Sequence, residues 1–259
     1  MMSDVVLSER RSQVQWLTIN RPERHNALNR ETIFALKTAL TESAQDPESR
    51  VIVLAGSGRA FCSGADLRAG PNRQEEPAVD VLEEGFNAVI RTIWNIPKPV
   101  IAAVGGVAAG FGCSLALATD IRLVSSTARF SLIFITRGLT VDGGASYFLP
   151  RLVGLRGLEM ALTGDMVTAE EALRLGLANQ VVPDSEFLPY VEAYTERLAK
   201  NAPLALAAIK ASFHKALTSD LDTVLTYEMD EQRRMGQTED FREGVAAFLE
   251  KREPVYKGK

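Results

Sequence analysis

Residues 100–119 read VIAAVGGVAAGFGCSLALAT, an uncharged run long enough to span a bilayer on length alone. Its breakers argue otherwise. Pro97 and Pro99 precede the run, Gly105, Gly106, Gly110 and Gly112 interrupt it, and Asp120 and Arg122 follow inside the next apolar stretch. The pattern predicts a buried strand, a glycine-rich turn and a buried helix in the core of an α/β protein.

The flanking segments agree with that core. Residues 14–19, 50–55, 121–125 and 128–131 read as strands, and 30–43, 79–94, 144–153, 169–175 and 202–217 as helices. Asn29 is placed to cap the first helix, and Pro203 sits in the first turn of the last, where a missing amide donor costs least. Residues 22–29 form a polar loop, AFCSGADL at 60–67 a loop or short helix, and the polar stretch 68–77 a mobile connection. Residues 221–251 are amphipathic and charge-rich. Strands alternating with helices imply an α/β core, residues 1–200, and a helical tail, 201–259, that packs on another surface of this chain or of a neighbour.

Composition narrows the chemistry. The chain has 259 residues, too many for one small domain and too few for two large ones. Its net charge of −4 argues against a broad nucleic-acid footprint. Two histidines and two cysteines leave little room for imidazole or thiolate clusters, so no metal centre is expected. His25, in a loop, and His214, on a helix, read as surface or packing residues, and Cys62 and Cys113 as buried packing residues. The opening MMSDVVLSERRSQVQ lacks the apolar region of a secretory signal, which makes the cytoplasm the expected compartment and no membrane the expected partner.

Phosphate and hydrolase motifs fail on inspection. GSGRAF at 56–61 and GFGCSL at 110–115 each lack the third glycine of a dinucleotide fingerprint, and no Gly-Lys-Ser/Thr loop or Gly-x-Ser-x-Gly elbow is present. Two small-residue turns remain, Ser63-Gly64-Ala65-Asp66 and Gly110-Phe111-Gly112-Cys113. Each can free a backbone amide, and two amides converging on one point would stabilise an oxyanion; as packing turns they would do nothing of the kind.

Five ordered stretches resemble the signatures of the crotonase, or enoyl-CoA hydratase/isomerase, superfamily: RPERHNALN at 21–29, AFCSGADL at 60–67, KPVIAAVGGVAAGFGCSLALATDIRL at 98–123, GLTVDGGASYFLPRLVG at 138–154 and EDFREGVAAFLEKREPVYKG at 239–258. The resemblance implies a spiral of strand-strand-helix units with a C-terminal helical region that assembles a homotrimer or homohexamer. It implies an acyl-CoA thioester substrate, with coenzyme A as part of the substrate and no separate cofactor. The two enolate-holding amides fall on Ala65 and Phe111, where Phe111 replaces the family's usual glycine and its ring must point away from the thioester or shape the acyl pocket. Ala27, Asp66, Leu67 and Gly110 fall in the stretches that line the CoA ester, with Arg24 and Arg68 as phosphate partners or solvated loop charges. Asp66 also reads as a helix cap.

The same alignment removes both glutamates of a two-glutamate hydratase: their positions hold Ser114 and Phe134. Ser114 could orient water or substrate, or simply bond to its own helix. Asp142 is the carboxylate left in the right loop, where it serves as proton shuttle or as cap of the helix near Gly144. An apolar surround of Phe134 and Leu139 would raise its pKa. Glu83 and Glu84 are a second acid/base group or a solvated helix face. The leading expectation is enoyl-CoA double-bond isomerisation, or a related CoA-ester rearrangement, with Asp142 as shuttle. The alternatives are a hydratase using Asp142 and Ser114 and a non-catalytic acyl-CoA binding protein.

Overall fold

In the computed structural model, which describes residues 5–68 and 81–259, the chain opens with an antiparallel pair, β1 (Val6–Arg11) and β2 (Val14–Ile19), followed by α1 (Arg30–Gln45). Three strand pairs follow: β3 (Val51–Gly56) with β4 (Ala60–Cys62), β5 (Val100–Val104) with β6 (Val107–Ala109), and β7 (Ile121–Ser125) with β8 (Arg129–Ser131). In each pair the first strand joins a six-stranded sheet and the second a four-stranded one, so the chain winds forward as a spiral. A π-helical turn (Val81–Asn87) and α2 (Ala88–Asn95) precede β5, and α3 (Phe111–Leu117) follows β6. After β8 come α4 (Ala145–Val153), α5 (Arg156–Thr163), β9 (Val167–Thr168), α6 (Ala169–Leu175) and β10 (Gln180–Val182). Then α7 (Phe187–Ala199) leads into the tail, α8 (Pro203–Ala216), α9 (Leu221–Met235) and α10 (Glu239–Glu250).

The large sheet runs β1-β2-β3-β5-β7-β10, parallel except for its β1 edge, and the small sheet runs β4-β6-β8-β9, with β9 antiparallel. Both faces of the large sheet are covered, which explains why its central strands read as unbroken apolar runs. On β3, Ile52 and Leu54 face the main core while Val51, Val53 and Ala55 face a second layer closed by Phe187 and Val191 of α7. The outer strand β1 exposes the charges of Glu9, Arg10 and Arg11, which protects a sheet edge from pairing with another chain. Helix α1 starts where Asn29 accepts a hydrogen bond from the Thr32 amide at 2.9 Å. Ile33, Leu36 and Leu40 then bury one face at helical spacing, each contributing about 2 kcal/mol of transfer free energy.

Several expectations are corrected. The 100–119 run is two strands and a helix, because Gly105 and Gly106 turn the chain from one sheet into the other rather than from strand to helix. Among the described residues no helix is long and apolar enough to cross a membrane. AFCSGADL holds strand β4 and then a turn, and the stretch 221–251 is two helices, the second capped by Thr238. The expected connection at 68–77 lies outside the described residues from 69 onward, as do residues 79 and 80 of the expected 79–94 helix.

The tail attaches to the core through a part-buried cluster on α8 and through Arg50, which donates to the Tyr256 carbonyl at 2.7 Å. Lys210 of α8 pairs with Asp120 at 2.8 Å and donates to the carbonyls of Ile93 and Lys98, and the ring of His214 stacks on Trp94 with centroids 3.5 Å apart. Other apolar side chains of the tail are exposed, among them Phe213, Leu221, Phe248 and Leu249.

Candidate active site

Strands β4, β6 and β8 lie side by side and parallel, so their carboxyl ends open at one edge of the small sheet. Ligands in α/β sheets bind in the crevice beyond such strand ends. Three segments leave there: the Ser63–Leu67 turn, the Gly110–Phe111 entry into α3, and the loop toward Asp142.

The first two segments touch. Gly64 has φ +98°, and a Cβ there would come within 2.9 Å of the Ala109 carbonyl oxygen and 3.4 Å of the Phe111 nitrogen, so only glycine allows this approach. Neighbouring amides are engaged: Asp66 donates to the Leu28 carbonyl at 2.9 Å and Gly110 to that of Ser131 at 3.0 Å. The Ala65 and Phe111 amides have no acceptor among the described residues. Phe111 is the first residue of α3, where an amide has no partner within the helix and carries the positive end of its dipole. Its ring is buried edge-on against Phe86, with centroids 4.5 Å apart, and lies under Gly143. The side chain thus points into the protein and leaves the amide clear, which is why a residue other than glycine is tolerated here.

Asp142 stands in a loop that ends in two left-handed glycines, Gly143 (φ +58°) and Gly144 (φ +76°). Its Oδ1 is buried without a hydrogen-bond partner among the described residues, and burial pushes the carboxyl up to about 6. The capping alternative fails, because the N-cap of α4 is Gly144 and no side chain caps the helix. Leu139 is 55% exposed and cannot supply the desolvation expected of it, whereas Phe134 is buried. Ser114 does not bond to its own helix: fully buried, it donates through Oγ to the Asp142 carbonyl at 2.9 Å.

The 21–29 loop borders the first turn. Among the described residues Asp66 caps no helix; it pairs with Arg21 at 2.9 Å and accepts from the Arg68 amide at 3.2 Å. Ala27 is buried, and Arg24, Leu67 and Arg68 are exposed. The guanidinium groups of Arg24 and Arg68 have no partner among the described residues. Asn26, which sequence reasoning missed, fastens this loop: it accepts from the Arg21 amide and donates to the carbonyls of Ser57 and Ala60 while holding φ +57°. The available signal was its type, since asparagine tolerates the left-handed region better than other side chains.

Glu83 and Glu84 lie outside the cluster. Glu83 is exposed and paired with Arg91 at 2.7 Å, which lowers its pKa, and Glu84 is also exposed. Burial pushes the Cys62 and Cys113 thiols up to about 12, leaving both as inert packing groups. Among the described residues no group of three or more His, Cys, Asp or Glu side chains is placed to hold a metal ion.

Fold and site define a spiral α/β protein whose strand ends carry two unengaged amides and a desolvated carboxylate. The chain belongs to the enoyl-CoA hydratase/isomerase family of the crotonase superfamily: that family's profile matches residues 9–259. It is 39% identical over the full length of both chains to a protein of Escherichia coli K12 named 1,2-epoxyphenylacetyl-CoA isomerase. To a crotonyl-CoA hydratase of Syntrophomonas wolfei it is 37% identical over 95% of each chain. A crystal structure of an enoyl-CoA hydratase from Polaromonas sp. JS666 superimposes with TM-score 0.92 at 38% identity, covering 97% of this chain and 99% of that one. The protein is therefore an enzyme of this family acting in acyl-CoA chemistry, and the binding-protein alternative is set aside.

Proposed function

We propose that this enzyme moves the double bond of an enoyl-CoA, or performs a related CoA-ester rearrangement, through a thioester enolate. The observation that carries the reading is the buried Oδ1 of Asp142, without a hydrogen-bond partner among the described residues, whose carboxyl is pushed up to about 6. A carboxyl with that pKa accepts and returns a proton near neutral pH. Asp142 removes the C2 proton of a 3-enoyl-CoA, the electron pair moves onto the thioester oxygen, and the same proton is returned at C4 to leave the 2-enoyl isomer. The Ala65 and Phe111 amides hold the enolate oxygen, each such donor contributing roughly 3 kcal/mol to the transition state. Arg24 and Arg68 meet the CoA phosphates, and Ala27, Asp66, Leu67, Gly110, Ser114 and Phe134 shape the site around the ester. The exposed apolar side chains of α8 to α10 are assigned to contacts between copies in a homotrimer or homohexamer.

The relative named as an isomerase supports this reading; the one named as a hydratase keeps hydration as the second. Against hydration, the Ser114 hydroxyl that would orient water is buried and already bonded to the Asp142 carbonyl. Incubating the enzyme with trans-2-, cis-3- and trans-3-enoyl-CoAs and with 1,2-epoxyphenylacetyl-CoA, with product analysis by mass, separates the two. Isomers of unchanged mass are the expected products. A dominant 3-hydroxyacyl-CoA formed from the trans-2 substrate would replace isomerisation with hydration.

A further inference from the structure

The Asp142 carboxylate has an unusual problem of orientation. No hydrogen bond reaches either of its oxygens among the described residues, and Oδ1 is buried. Side-chain contacts that usually aim a catalytic group are missing, so its aim depends on how firmly its backbone is held.

That backbone is held from one face of α3. Ser114 donates through Oγ to the Asp142 carbonyl at 2.9 Å, and the Ala145 amide reaches the same carbonyl at 3.1 Å. The next residue, Gly143, is pressed so close that a Cβ would lie 2.8 Å from the Ser114 Cβ and 2.9 Å from the Phe111 ring. Phe111 and Ser114 are three apart on the helix and therefore share a face. The helix that presents the Phe111 amide thus also carries the loop of Asp142.

We infer that Ser114 is a positioning residue for Asp142, its hydroxyl fastening the carboxylate's main chain to α3. The assignment rests on Asp142 being the proton shuttle. The serine acts through the main chain of Asp142, to whose carbonyl its hydroxyl is bonded. It keeps the carboxyl in its desolvated position, and without it the loop can lift and let water reach Asp142.

The test uses Ser114→Ala and Ser114→Cys, both small enough for the buried site, with thermal melting to verify folding. The expected result is a fall in kcat of about tenfold to a hundredfold with KM nearly unchanged. The acid limb of the kcat/KM profile should also move down from about 6 toward the ordinary carboxylate range as Asp142 becomes hydrated. A serine that only fills space would leave that limb in place. Wild-type kcat and an unmoved limb in both variants, alongside an inactive Asp142→Asn enzyme, would overturn the positioning role alone. Wild-type turnover by Asp142→Asn would overturn the shuttle and the positioning role together.

Discussion

The two ends of helix α3 each lie beside an aspartate, and they treat it in opposite ways. Beyond the C-terminal end, Asp120 accepts from the Val100 amide and from Lys210 through Oδ2, both at 2.8 Å, and its Oδ1 lies 3.9 Å from His214. At the N-terminal end, Asp142 has a buried oxygen with no hydrogen-bond partner among the described residues. Buried polar groups are normally satisfied, so the contrast separates a carboxylate used to build the fold from one kept available at a cost in stability. Asp120 joins the tail to the core, while Asp142 is tied by its carbonyl to Ser114 of the helix whose first amide, that of Phe111, is unengaged among the described residues.

The largest effect expected is on catalysis. Asp142→Asn keeps the shape of the side chain but removes the base, and kcat should fall by about 10³-fold while CoA-ester affinity, measured calorimetrically, stays near wild type. The opposite profile is expected for Asp120→Asn. Lys210, whose side chain is only 9% exposed, would lose its counter-charge, at a cost of about 3 kcal/mol in urea unfolding, with turnover per folded molecule unchanged. Replacing both partners, Asp120→Asn with Lys210→Met, should recover much of that loss; failure to recover would mean that the pair does more than neutralise itself.

A smaller effect sharpens the contrast from the other side. The folded-state pKa of Asp142, about 6, lies above the 3.8 of an ordinary aspartate, so the folded form binds more protons between those values. Its ionisation therefore lowers stability as pH rises through that window, and the loss is complete above about 6. Asp142→Asn should melt higher than wild type above pH 6 and match it below about pH 4. A variant that melts lower at every pH would place Asp142 with Asp120, as a structural residue.

Much of this was legible in the sequence where one physical signal acted alone. Prolines and glycines around 100–119 excluded a membrane span, Asn29 marked the start of α1, and the turns at Gly64 and Gly110 were singled out because small residues there free amides. Where signals competed, the reading stopped short. Strands β4 and β6 are three residues each, too short to show a period, and β1 is hidden by its charges. Helix α7, thirteen residues long, is not among the helices read from the sequence. Asp142 lies three residues before the first residue of α4, near enough to suit a cap as well as a catalyst; the left-handed backbone of Gly143 and Gly144 removes the cap. The Ser114–Asp142 bond joins residues 28 apart and leaves no local trace.

The central claim is that the carboxyl of Asp142 moves the proton, and the pH dependence of kcat/KM for conversion of cis-3- to trans-2-enoyl-CoA tests it most directly. The wild-type enzyme should lose activity as pH falls through about 6, because the carboxyl must be ionised to take the proton. The Asn variant should show no such limb in whatever activity remains. A wild-type profile flat through that range, or an Asn variant with the same limb and rate, would contradict the account.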